Sequence, residues 1–119
     1  MSETKSIIKD KSFLFAKRII KLCQYLTDNK KEFVISRQLL RSGTAVGALV
    51  REAQNEESRL DFIHKLGIAQ KECDESLYWL ELLYETAYLK EKKFISIQKE
   101  AAELLKMIRS AIITTKSKK

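Results

Sequence analysis

Proline is absent from this 119-residue chain, and glycine occurs only three times. The usual punctuation of strands, hairpins and glycine-rich phosphate loops is therefore missing. Cysteine occurs twice, at Cys23 and Cys73, with no CxxC spacing, which excludes a zinc knuckle or a thioredoxin-like site. Both are expected to be reduced and buried as small apolar side chains. The single histidine, His64, has Asp61 at i−3, whereas a di-iron bundle needs two inward Glu-x-x-His pairs. No metal site, cofactor or catalytic residue is expected. The most apolar run, Ala45 to Val50, is far too short to cross a bilayer. Met1 to Ser6 lacks the apolar core of a signal peptide, so the expectation is a cytoplasmic protein without a membrane partner.

What is present is helix-forming. Apolar residues make up 45% and charged residues 33% of the chain, the mixture of amphipathic helices. The length suits one domain over residues 1–119. Apolar spacing predicts helices over about 5–28, 32–56, 59–89 and 93–114. In the first, Ile8, Phe15, Ile19, Leu22 and Leu26 align, and Phe13, Ala16, Ile20 and Cys23 widen that stripe beyond the ~100° of an ordinary surface helix. The excess implies more than one neighbour, and Phe15 and Leu22 become candidates for a subunit interface. In the second helix Ile35, Leu39, Ser42, Val46, Leu49 and Ala53 form the seam. Gly43 and Gly47, one turn apart, each cost about 1 kcal/mol of helix propensity. They imply either close approach of another backbone or a local kink. Ser58 with Asp61 resembles a capping box opening the third helix. Its seam is Phe62, Leu66, Ala69, Cys73, Leu77, Leu80, Tyr84 and Ala87, and Trp79 is a core or interface anchor. Phe94, Ile97, Ala101, Leu104, Leu105, Ile108, Ala111 and Ile112 mark the fourth. Short connections between long helices predict an all-α, antiparallel up-down-up-down four-helix bundle.

Net charge is +7, unevenly placed. Residues 1–51 carry eleven Lys and Arg against four acids, residues 52–89 three against nine, and residues 90–119 nine against three. Complementary segments within a bundle are one reading. The positive surplus also suits a polyanion. Arg37, Arg41 and Arg51 fall within an arc of about 80° opposite the apolar seam of the second helix. Lys11, Arg18 and Lys21 share the polar side of the first, with Lys17 at its edge. Such an array neutralises phosphates without reading sequence, although a solvated face needs the same residues and Arg41 has Glu52 or the acids of helix 3 as rival partners.

Two stretches carry a resemblance. One is Gln38-Leu39-Leu40-Arg41-Ser42-Gly43-Thr44-Ala45-Val46-Gly47-Ala48-Leu49-Val50-Arg51-Glu52-Ala53. The other is Asp61-Phe62-Ile63, then Ile68-Ala69-Gln70-Lys71-Glu72 and Glu75-Ser76-Leu77-Tyr78-Trp79-Leu80. Together they resemble the bacterial four-helix-bundle family encoded in intervening sequences of 23S ribosomal RNA genes, sometimes labelled a ribosomal protein. A related member is the accessory variability determinant of diversity-generating retroelements. Ala45 and Leu49 depart from the Ser and Asn usual in that family. The resemblance implies a homopentameric ring, no catalysis and RNA or DNA binding, with Glu72, Glu75, Tyr78 and Trp79 structural. The retroelement relative adds a second class of partner, a protein such as a reverse transcriptase, for which the chain would be a scaffold.

Overall fold

In the computed structural model, which describes residues 2–118, four helices run in the order α1 (Ser2–Asn29), α2 (Ile35–Gln54), α3 (Arg59–Glu85) and α4 (Glu91–Ser117). They form the antiparallel up-down-up-down bundle, 50 × 20 × 20 Å, with no strand among the described residues. Each helix packs on the next in sequence, and α4 closes back on α1 over a smaller area. The α1 stripe lands where its periodicity places it: Ile8, Phe15, Ile19, Leu22 and Leu26 are all buried. Leu39, Val46, Val50 and Ala53 meet them from α2, Leu66, Leu80 and Leu83 from α3, and Ile97, Leu104 and Ile108 from α4. A stacked Tyr84–Phe94 pair, with ring centroids 4.4 Å apart, ties the end of α3 to the start of α4.

Helix ends depart from the periodicity for identifiable reasons. Helix α2 begins at Ile35 rather than near residue 32, because Glu32 acts as its cap. The Glu32 carboxylate accepts the backbone N–H groups of Val34 (3.3 Å), Ile35 (3.0 Å) and Ser36 (2.7 Å). That satisfies donors which have no intrahelical partner and sets a negative charge at the positive end of the helix dipole. Lys31, at φ 55°, turns the chain so that the Glu32 N–H also reaches the Leu26 carbonyl at 3.0 Å. Helix α3 stops at Glu85, four residues earlier than expected, in a Schellman motif. Its left-handed residue is Ala87 (φ 69°), with Tyr88 N–H donating to Leu83 O (2.9 Å) and Ala87 N–H to Tyr84 O (3.0 Å). Ala87 therefore lies in the turn and not on the α3 seam. Ser58 caps α3 as expected, its hydroxyl accepting the Asp61 N–H at 3.0 Å.

Between α2 and α3 the core is polar at one point. Ser42 and Ser76 are fully buried, and their hydroxyl oxygens lie 2.8 Å apart. Ser76 also donates to Glu72 O (2.9 Å), so neither hydroxyl is orphaned. Small side chains here let the two helices approach closely.

The glycine pair marks an approach of α1 to α2 within the chain. A Cβ on Gly43 would lie 2.8 Å from both γ carbons of fully buried Ile19, and one on Gly47 would lie 3.3 Å from the Ser12 carbonyl oxygen. Gly67, by contrast, has open space around it. Gly67→Ala is therefore expected to stabilise the fold by about 1 kcal/mol through helix propensity alone. Gly43→Ala is expected to destabilise it by about 1–2 kcal/mol, because overpacking a β-branched core residue outweighs the same propensity gain. Chemical denaturation of the two variants checks both signs.

Candidate nucleic-acid interface

The α1 residues that miss the core stripe include a run of cations. Lys11, Lys17, Arg18 and Lys21 line one open groove of about 530 Å³ between α1 and α4, with Leu14 at its base and Glu100 and Glu103 on the α4 side. One of the four is committed: Arg18 pairs with Glu100 and donates to the Ser96 hydroxyl at 2.8 Å. Lys11, Lys17 and Lys21 are exposed and, among the described residues, have no carboxylate within ion-pair distance. The sequence pattern thus brings these four together, with Arg18 anchored and three ammonium groups facing solvent.

The arginines of α2 separate. Arg51 turns toward α1, its guanidinium carbon 5.1 Å from the centre of the Phe13 ring, and the Lys17 ammonium lies 5.3 Å from the same ring. Phe13 thereby links Arg51 to the α1 cations. Cation–π contacts at such exposed sites are worth about 0.5–1 kcal/mol each. Arg37 is exposed near the other end of α2, fourteen residues or ~21 Å away along the helix, and does not join the cluster. Arg41 turns to α3. Its guanidinium donates to Glu72 (3.0 Å) and to Glu75, so its charge is already answered by two carboxylates. Being half exposed, the pair is screened and adds little stability, but it removes Arg41 from the free cationic array.

Glu75 has a second partner. The Trp79 indole N–H donates to it at 3.0 Å, and this bond, with Arg41, holds the Glu75 carboxyl below its ordinary value of 4.5. Trp79 packs edge-on against Tyr78, with centroids 4.9 Å apart. The folded-state pKa lies below the unfolded one. The contact therefore contributes fully at neutral pH and above the unfolded pKa, and is lost as the pH falls through the folded value. Since Trp79 is the sole tryptophan, its fluorescence should report that protonation with a midpoint below pH 4.5 while far-UV circular dichroism stays constant. The transition should vanish in Glu75→Gln; a midpoint at or above 4.5 refutes the assignment.

The other interface candidates are mostly consumed inside the protomer. Phe15 and Leu22 are buried at 1% and 4% exposure, and Gly43 faces Ile19. Their packing is accounted for without a second copy. Trp79 remains half-buried. The widened part of the α1 stripe is what stays outside the core: Phe13 is 48% and Ile20 40% exposed. Sequence periodicity counted Phe13 with the core, although it sits ~135° around the helix from the core's centre. Lys17 at i+4 was the signal that could have found it.

Burial works against nucleophilic chemistry at the two cysteines. The thiols of Cys23 and Cys73 are each pushed up to about 12, by burial first and by nearby carboxylates (Glu32 and Asp74) second. They donate to the Ser36 and Ala101 carbonyls and stay protonated at neutral pH. His64 is exposed. No group of three metal-ligating side chains occurs among the described residues, and no described helix is long and apolar enough to cross a membrane. A larger groove of about 820 Å³ lies at the end of the bundle, floored by Ile8, Val50, Phe62, Leu66 and Met107 and rimmed by charges of both signs.

Residues 4–110 match the family model described as 23S rRNA-intervening sequence protein. The fold is similar to the crystal structure of a protein with unknown function from the S23 ribosomal protein family of Bacteroides thetaiotaomicron. The two are 48% identical over 92% of this chain and 97% of that one, with a TM-score of 0.90. No curated protein matches the chain.

Proposed function

The chain belongs to the 23S rRNA-intervening sequence protein family, and from that premise we propose that it is a non-enzymatic, cytoplasmic, homo-oligomeric protein that binds RNA or DNA with low sequence specificity through the basic face of α1 and α2. The observation that carries the reading is the convergence of Lys11, Lys17 and Lys21 on one groove with Arg51 beside them, all four without carboxylate partners among the described residues. Ammonium and guanidinium groups in this arrangement neutralise phosphates and release counterions, whatever the bases. Arg37, exposed at the far end of α2, lies outside this cluster, and Arg41 is engaged by Glu72 and Glu75.

The assembly we propose is the homopentamer that the family resemblance implies. Its contacts fall to apolar side chains left outside the core, such as Ile7 and Tyr25, together with the open edge of Trp79. Light scattering should then give the mass of five chains.

An anisotropy titration with structured RNA and duplex DNA tests the binding. Affinity should fall steeply with salt, with a log–log slope of about −3 to −4 for four phosphate contacts, and little with sequence. Absence of binding at low salt refutes the proposal. A groove of about 560 Å³ between α3 and α4 favours a second reading, in which the ring is a scaffold for a protein partner. Leu77, Tyr78 and Ile95 give it an apolar lining, and Asp74 and Glu81 an acidic edge suited to a basic protein such as a reverse transcriptase.

A further inference from the structure

A phenylalanine 48% exposed on a helix that already fills its core stripe needs a reason to be where it is. Phe13 is set among cations. Lys17, one turn on in α1, places its ammonium 5.3 Å from the ring centre, and Arg51 reaches over from α2 to 5.1 Å. The flat ring is thus held at the surface at the junction of the two helices, with positive charge beside it and the Lys11–Lys21 groove adjoining.

We propose that Phe13 is a stacking platform for an unpaired base, so that this face takes single-stranded rather than duplex nucleic acid. The inference rests on the nucleic-acid reading above and deepens it. A base has a π-face whatever its identity, so stacking on an aromatic side chain adds affinity without reading sequence. A cation over an exposed ring is weakly held. When a base takes one face of Phe13, Lys17 or Arg51 is displaced only as far as the phosphate beside that base. Aromatic and cationic contacts then work on one nucleotide together, and the lysines of the groove take the phosphates that follow. In a duplex the base faces are covered by their stacked neighbours, so the ring has nothing to stack on and only the charges act. Unpaired RNA and single-stranded DNA offer the same base faces and phosphates, and both are substrates of this arrangement.

The test uses the full chain at low salt, with fluorescein-labelled single-stranded oligonucleotides of RNA and DNA and a duplex of equal length. Wild type should bind the single strands several-fold more tightly than the duplex. Phe13→Ala should weaken single-strand binding about tenfold and duplex binding less than about twofold, while Phe13→Trp should retain the preference. Binding of single strand and duplex alike, with Phe13→Ala affecting both equally or neither, overturns the inference and leaves the nucleic-acid reading standing. Failure of wild type to bind any of the three sinks that reading as well. Light scattering is run on each variant. If Phe13→Ala breaks up the oligomer, the ring belongs to a contact between copies and the inference is overturned.

Discussion

Phe15→Ala is expected to lower the stability of the fold by about 3–5 kcal/mol. Two residues earlier on the same helix, Phe13→Ala should cost only about 1–2 kcal/mol. The contrast follows from position. Phe15 is 1% exposed and sits among Ile19, Leu22 and the facing side chains of the core, so truncation loses its transfer energy and leaves a cavity. Phe13 is half out of the bundle and loses two exposed cation–π contacts. Against a total of about 5–15 kcal/mol for a domain, the first change is close to disabling and the second is not. Urea denaturation of both variants measures the difference, and equal costs would show that the α1 stripe is assigned wrongly. A role for Phe15 at a subunit contact would instead give a loss that grows on dilution.

The second large effect concerns binding. Reversing Lys11, Lys17, Lys21 and Arg51 to Glu together should weaken nucleic-acid affinity by more than about 100-fold at low salt and flatten the salt dependence by about three units of log–log slope. Arg41→Glu serves as the contrasting variant. Its guanidinium is engaged by Glu72 and Glu75, so the salt slope should stay as it is, while Trp79 fluorescence should shift as three carboxylates crowd around the indole N–H. If Arg41→Glu reduces the slope as much as one of the four lysine and arginine reversals does singly, the cationic face has been drawn in the wrong place. If the fourfold variant binds as wild type does, there is no such face. A protein partner held at the α3–α4 groove should be indifferent to the fourfold change, provided the oligomer survives it.

How much of this could be read from the residues varied with the range of the interaction. The apolar repeat of α1 located Ile8, Phe15, Ile19, Leu22 and Leu26 correctly, because burial of a helix face is written in local spacing. The Ser58 cap was equally local. Helix ends were not. At the start of α2 a glutamate three residues before the helix replaces the usual small capping residue, and at the end of α3 an alanine occupies a left-handed position that a glycine would have announced. The glycine pair signalled close approach, but spacing alone does not name the partner, which is Ile19 and the Ser12 backbone of the same chain. Arg41 shared an arc with Arg37 and Arg51. Only the fold brings Glu72 and Glu75, 31 and 34 residues on, close enough to divert it. Phe13 lies too far round the helix for the apolar repeat of α1 to claim it, and only the reach of Arg51 from α2 shows what it faces.

The buried Ser42–Ser76 contact has a mechanical consequence. Sliding α2 along α3 by one turn, ~5.4 Å, would keep most aliphatic contacts roughly interchangeable but would pull the two hydroxyls apart in a dry interior. Each hydroxyl keeps a carbonyl of its own helix, Leu39 O for Ser42 and Glu72 O for Ser76, so the slide forfeits the one bond between them, about 0.5–1.5 kcal/mol, whereas leucine against leucine hardly distinguishes one register from the next. The hairpin of α2 and α3 is therefore keyed at a single notch, and whatever rests on the outer side of α2 meets a rigid template whose spacing does not ratchet.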